Sequence, residues 1–120
     1  MKKLFSILAI MGVLNAYSQT EIKINEISSH IGDSIKVNIK IYGGKFLSQS
    51  NGKPTLLNAG AKYPDALLTL FIGLEVRNKF STPPEEMFVD KEVTVTGKII
   101  LFKNKPEIII YKLEQIVLIK

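Results

Sequence analysis

Gly52-Lys53-Pro54-Thr55-Leu56-Leu57-Asn58-Ala59-Gly60-Ala61-Lys62-Tyr63-Pro64-Asp65-Ala66-Leu67-Leu68-Thr69-Leu70-Phe71-Ile72 sets the organisation of the chain. Gly52 and Pro54 punctuate its start, and Gly60, Pro64 and Asp65 break its middle. Between the breaks, Thr55 to Ala59 is extended and mostly apolar, and Ala66 to Ile72 is a longer run of the same kind. The pattern predicts a β-hairpin with a wide loop, around which the neighbouring segments close.

Upstream, Ile35, Val37, Ile39 and Ile41 alternate with Lys36, Asn38, Lys40 and Tyr42. Period-two alternation of this quality predicts a strand with one buried and one wet face. Gly43-Gly44 ends or bends it, and Lys45–Lys53 reads as a polar loop that also carries Phe46 and Leu47. Before the strand, Thr20 to Ile31 is either a short leading strand or a partly helical lead-in ending at Gly32-Asp33. Downstream, Leu74 to Phe80 suits a short helix stopped by Ser81-Thr82-Pro83-Pro84, and Glu85 to Phe88 suits a brief turn. Val93, Val95, Ile99 and Leu101 alternate in a strand from Glu92 to Phe102, with Gly97 as a bend. Lys103-Asn104-Lys105-Pro106 is a tight turn in which Asn104 accepts a left-handed conformation. Glu107 to Tyr111 returns, and Leu113 to Ile119 adds a terminal strand.

Met1-Lys2-Lys3 followed by the apolar run Leu4–Leu14 and by Ala16-Tyr17-Ser18 has the pattern of a secretory signal peptide cleaved before Gln19. The apolar run of about 11 residues falls short of the roughly 20 that cross a bilayer as a helix. The expectation is a signal peptide at 1–18 and a single domain at 19–120, exported to the periplasm or beyond the cell, with no transmembrane segment after cleavage. The whole chain has 16 basic and 11 acidic residues. Lys2 and Lys3 leave with the signal, so 14 basic face 11 acidic residues, a balance of only +3. The absence of cysteine excludes disulfides, thiolate zinc sites, a cysteine nucleophile and acylation as a lipoprotein. A disulfide-free exported domain of this size relies on packing, which suits an all-β fold closed as a small β-barrel.

Three stretches carry a family resemblance: Gly52–Gly60 with Tyr63-Pro64 and Leu68–Ile72; Lys91–Ile99; and Lys103–Ile109. Over about residues 27 to 117 the chain resembles small exported bacterial OB-fold domains of the nucleic-acid-binding-like kind. Asn104 stands where members of that family often have glycine. The resemblance implies a five-stranded OB-fold with one short helix between strands 3 and 4. It also implies a ligand face on strands 2 and 3, flanked by the loops at Lys45–Lys53 and Lys103–Lys105. Mapped residue by residue, that face and its surroundings would present Lys36, Lys40, Tyr42, Lys45, Phe46, Lys53, Asn58, Tyr63, Phe71, Lys103 and Lys105. Lysines interleaved with aromatics suit single-stranded DNA or RNA, through phosphate neutralisation and base stacking with a strongly salt-dependent affinity. An envelope protein or glycan, or a small ligand, on the same face is the alternative partner.

Enzymatic function is not expected, and neither is a cofactor or a bound metal. The staphylococcal-type nucleases share this barrel, but their hydrolysis depends on acidic calcium ligands, a general base and several arginines. Arg77 is the chain's only arginine and falls on a predicted helix, Glu85-Glu86 reads as a solvated pair, and His30 reads as a surface residue without a nearby partner. No phosphate loop, serine elbow or metal-spaced cluster is present.

Overall fold

A computed structural model of the chain describes residues 19–120; the signal-peptide reading falls on 1–18 and lies outside the described residues. The described chain is mostly β, with eight strands and a few single-turn helices. The strands are β1 (Thr20–Ile22), β2 (Ser34–Phe46), β3 (Thr55–Ala59), β4 (Leu68–Ile72), β5 (Glu92–Lys98), β6 (Ile100–Phe102), β7 (Lys105–Ile110) and β8 (Ile116–Leu118). Between β4 and β5 stand α1 (Leu74–Arg77) and α2 (Pro84–Met87), two turns where the sequence predicts one helix and a turn. The ambiguous lead-in resolves into both of its alternatives, β1 followed by a 3-10 helix at Ile24–Ser29.

The strand order is β6-β7-β4-β3-β2-β5-β8, with β1 parallel to the start of β2. β2 is the longest strand because it serves two neighbours. Its first half, Ser34–Lys40, pairs with β5; its second half, from Ile41 to Phe46, pairs with β3. The register shifts between Ile41 and Gly43, leaving Tyr42 as the extra residue of a bulge that bends the strand from one partner to the other. At the bend, a side-chain carbon on Gly44 would lie 2.7 Å from Leu57 Cδ2 and 3.1 Å from Glu85 Cβ, so glycine is what lets α2 sit down on the strand.

Ile35, Val37, Ile39 and Ile41 of β2 face the core with Leu57, Leu68, Leu70, Ile72, Val93, Val95, Ile108 and Ile110. Each such side chain contributes about 1.5–3 kcal/mol on burial. The hairpin is antiparallel, with Thr55 opposite Ile72 and Ala59 opposite Leu68. β7 then runs parallel to β4, with Ile108 beside Leu70.

β5 and β6 are one run of chain parted by Ile99 alone, whose side chain is buried and whose N–H donates to Asp33 O at 3.0 Å. The alternation expected to continue inward ends there, and Leu101 is exposed. β5 and β7 meet closely at Gly97. A carbon added to Gly97 would lie 2.7 Å from Ile108 Cγ2, and its φ of +152° favours glycine independently. Gln115 ties the same place together. Its Nε2 donates to Thr96 O at 3.0 Å and Ile109 O at 3.1 Å, while its Oε1 accepts from Tyr111 N and Lys112 N. The β6–β7 connection has positive φ at both Lys103 (52°) and Asn104 (66°), the conformation of a two-residue hairpin turn. The terminal strand β8 pairs within the chain, antiparallel to β5.

Candidate nucleic-acid interface

Residues opposite one another in a ladder point to the same side of a sheet. Because Leu57 and Leu70 face the core, their neighbours Leu56, Asn58, Thr69 and Phe71 face outward. β2 adds Lys45, opposite Leu56, and β7 adds Glu107, beside Thr69. The hairpin of β6 and β7 sets Phe102 opposite Lys105 at the far side.

Two hollows lie on this outer face and share Leu47 and Leu56. The first, of about 380 Å³, is floored by Leu56, Thr69, Phe71 and Glu107 and edged by Phe102, Lys103 and Lys105. The second, of about 420 Å³, lies along Gly44, Lys45, Asn58 and Tyr63. Together they form a groove across β3 and β4. Two of its aromatics are open to solvent, Tyr63 at 78% and Phe102 at 55% exposure. Lys105 Nζ donates to Pro64 O at 3.3 Å, which joins the β6–β7 turn to the loop that carries Tyr63. Lys103 Nζ sits 5.4 Å from the centre of the Phe102 ring.

Six of the eleven residues predicted for the site line this groove: Lys45, Asn58, Tyr63, Phe71, Lys103 and Lys105. The other five lie elsewhere. Lys36 and Lys40 occupy the outer side of β2 before the bulge and Tyr42 is the bulged residue itself, with Lys40 Nζ 4.9 Å from the centre of the Tyr42 ring. Lys53 is an exposed loop residue with a φ of 44°. Phe46 shares its side of the sheet with buried Thr55, and the Arg77 guanidinium covers its ring at 3.7 Å. A base has no access to that face of Phe46.

Arg77 is a structural clamp. It donates to Glu85 Oε1 at 2.6 Å and Oε2 at 3.0 Å, and to Thr55 Oγ1 at 2.7 Å. Its hydrogen bond holds the Glu85 carboxyl below the ordinary glutamate range. Glu85 is therefore paired, where the sequence suggests a solvated residue. His30 likewise has a partner, Asp33 Oδ2 at 3.0 Å. Among the described residues, no group of three or more histidines or carboxylates comes together, and no helix is long and apolar enough to cross a membrane.

The sequence reading missed Leu47, Leu56, Phe102 and Glu107 as groove residues, whereas Thr69 was expected from the hairpin and does line it. Phe102 was legible as the last residue before the Lys103-Asn104 turn. Glu107 carried no signal, since only the pairing of β7 between β4 and β6 buries it to 7% exposure. Burial raises its pKa above the ordinary glutamate value.

No protein-family model and no curated protein matches the chain. Among solved structures, the chain is similar in fold to part of a crystal structure from Leishmania major Friedlin assigned as an aspartyl-tRNA synthetase. The TM-score is 0.50 and the identity 13%, over 93% of this chain and 25% of that one. The chain thus spans about a quarter of the length of that neighbour.

Proposed function

We propose that this chain is an exported OB-type domain that binds single-stranded nucleic acid along the groove over β3 and β4, without catalysing a reaction on it. The observation that carries the reading is the composition of the groove. Phe71, Phe102 and Tyr63 offer ring faces, and Lys45, Lys103 and Lys105 stand at its edges. Single-stranded binders combine these two elements, a cationic path for the backbone and aromatic platforms for the bases. The barrel reading is supported by the ladder from β5 through β2, β3, β4 and β7 to β6, whose two ends are joined by Ile99. The close approach at Gly97 and the Gln115 bridge support it further. The fold neighbour is assigned to an enzyme that acts with a tRNA, which is compatible with this ligand class. Export rests on the pattern of residues 1–18.

The test is fluorescence anisotropy of the purified protein with labelled single-stranded DNA and RNA across a salt series. Three lysines at the groove predict a slope of about −2 in log affinity against log salt for a single strand. Phe102→Ala removes one platform and weakens binding by about 1–3 kcal/mol. Absence of binding at low salt overturns the proposal. A salt-insensitive complex with an envelope protein or glycan, unaffected by charge reversal at Lys103 and Lys105, transfers the groove to that class of partner.

A further inference from the structure

Glu107 is out of character in a groove edged by lysines. It is the one charged side chain among the buried residues, and no hydrogen bond or ion pair reaches its carboxylate from the described residues. The two lysines that line the same hollow are engaged elsewhere: Lys105 Nζ donates to Pro64 O, and Lys103 Nζ lies over the Phe102 ring. The carboxylate is nevertheless not sealed in, because Glu107 lines the hollow together with Thr69, Phe71 and Phe102. A buried carboxylate without a partner is costly unless a donor meets it. The Glu107 oxygens keep a little exposure to the hollow, so water meets them when the groove is empty. A ligand that displaces this water has to bring a donor in its place. A phosphate cannot serve, since it brings like charge. A base stacked beside Phe71 or Phe102 can.

The bases differ in what they offer a carboxylate. In a single strand the Watson–Crick edge is free. Guanine presents two adjacent donors there, N1–H and N2–H, which match the two oxygens of one carboxylate. Cytosine and adenine set an acceptor beside their amino group, and thymine and uracil flank one N–H with two carbonyls, so each places a lone pair against the carboxylate. Resting on the nucleic-acid reading above, we propose that Glu107 reads guanine, giving a groove that is otherwise tolerant of sequence one guanine-selective position. Raised as its pKa is by burial, the group still serves this role in its ionised form, so the preference fades on acidification as the carboxyl gains a proton.

The experiment is competition anisotropy at neutral pH with a short oligothymidylate and with the same strand carrying one central guanine, hypoxanthine, adenine or cytosine. Hypoxanthine keeps N1–H and lacks the N2 amino group. The guanine strand should outcompete the parent by at least about fivefold, the low end for a two-bond base contact. The hypoxanthine strand should lose most of that gain. Glu107→Gln should abolish the guanine preference, read as the ratio of guanine strand to parent strand within the variant. If the parent strand binds but guanine gives no gain, or hypoxanthine equals guanine, or Glu107→Gln retains the preference, the assignment of Glu107 is overturned and the nucleic-acid reading stands. If the parent strand does not bind at low salt, the nucleic-acid reading fails and this inference fails with it. The comparison of guanine with hypoxanthine uses the unaltered protein, so it does not depend on how the variant folds.

Discussion

Gly97→Ala tests one of the two glycines at which an added carbon would come within 2.7 Å of a neighbour. The new methyl would lie 2.7 Å from Ile108 Cγ2 and 2.9 Å from Gln115 Nε2, where unstrained carbon contacts are about 3.5–4.0 Å. Ile108 is fully buried and branched at Cβ, the carbon that carries the offending methyl, so it has little freedom to turn. Overpacking of this kind costs about 1–3 kcal/mol. The φ of +152° adds about 1–2 kcal/mol for a residue with a side chain. Displacing Gln115 would forfeit its bonds to Thr96 O and Ile109 O at about 1 kcal/mol each. The expected loss is about 4–7 kcal/mol, a large share of the roughly 5–15 kcal/mol that holds a small domain together. Urea unfolding followed by circular dichroism reads this as a midpoint lowered by about 2–3.5 M, for a slope near 2 kcal/mol per M. A double-mutant cycle locates the cause. Ile108→Ala alone opens a cavity at about 2–5 kcal/mol, but in the Gly97→Ala background it also removes the clash, so its cost there should fall by at least about 1 kcal/mol. A loss below about 1 kcal/mol for Gly97→Ala, or strict additivity in the cycle, would refute the claim that β5 and β7 are pressed together here.

Arg77→Met removes three charge-assisted or polar hydrogen bonds and leaves buried Thr55 without its partner, at an expected cost of about 2–3 kcal/mol in urea unfolding at neutral pH. Because the folded Glu85 pKa lies below its unfolded value near 4.5, this contribution is present above that value and is lost as pH falls through the folded one, so wild type and variant should converge in acid. Glu107 has the opposite sign. Its folded pKa is raised, so stability falls as pH rises from the unfolded value through the folded one, and at neutral pH the ionised group is a standing cost. Glu107→Gln should therefore raise the urea midpoint at neutral pH and leave it unchanged in acid; an equal or lower midpoint at neutral pH would contradict the burial assigned to this carboxylate.

The strands were legible where local pattern and tertiary demand coincide. Ile35, Val37, Ile39 and Ile41 announce their face by alternation, and all four are buried. The Gly60 break, the Gly43-Gly44 bend and the Asn104 turn were readable for the same reason, since each residue type suits the backbone it adopts. The site was half legible. Asn58 and Phe71 could be placed because the hairpin fixes which side of β3 and β4 each occupies, whereas Lys45, expected in a loop, lies on the last part of β2. Phe46 could not, because the bulge at Tyr42 shifts the alternation by one residue and turns its ring to the opposite side. Arg77 and Glu85 are eight positions apart, and only the packing of α1 and α2 against β2 and β3 brings them together. Glu107 acquires its meaning from β4, which is far from it in sequence, together with its own hairpin partner β6.

The placement of charge is why the proposed ligand surface is the groove rather than the first half of β2. Lys36 and Lys40, the strongest cationic candidates in the sequence, stand on the half of β2 flanked by β1 and β5. There Glu21 lies beside Lys36 and Glu92 opposite Lys40 in the ladder. Exposed opposite charges at such positions offset one another and leave little field for a phosphate. In the groove, the three lysines surround an aromatic and aliphatic floor instead of facing acidic partners across a ladder, and the only negative charge lining it is Glu107. Three phosphate contacts give a modest salt slope, whereas stacking on Phe71, Phe102 and Tyr63 is worth about 1–3 kcal/mol per base. On the proposed nucleic-acid reading, affinity in this groove would be carried more by rings than by charge. Substituting Phe71 or Phe102 should weaken binding at every salt concentration, while charge reversal at Lys103 should weaken it chiefly at low salt.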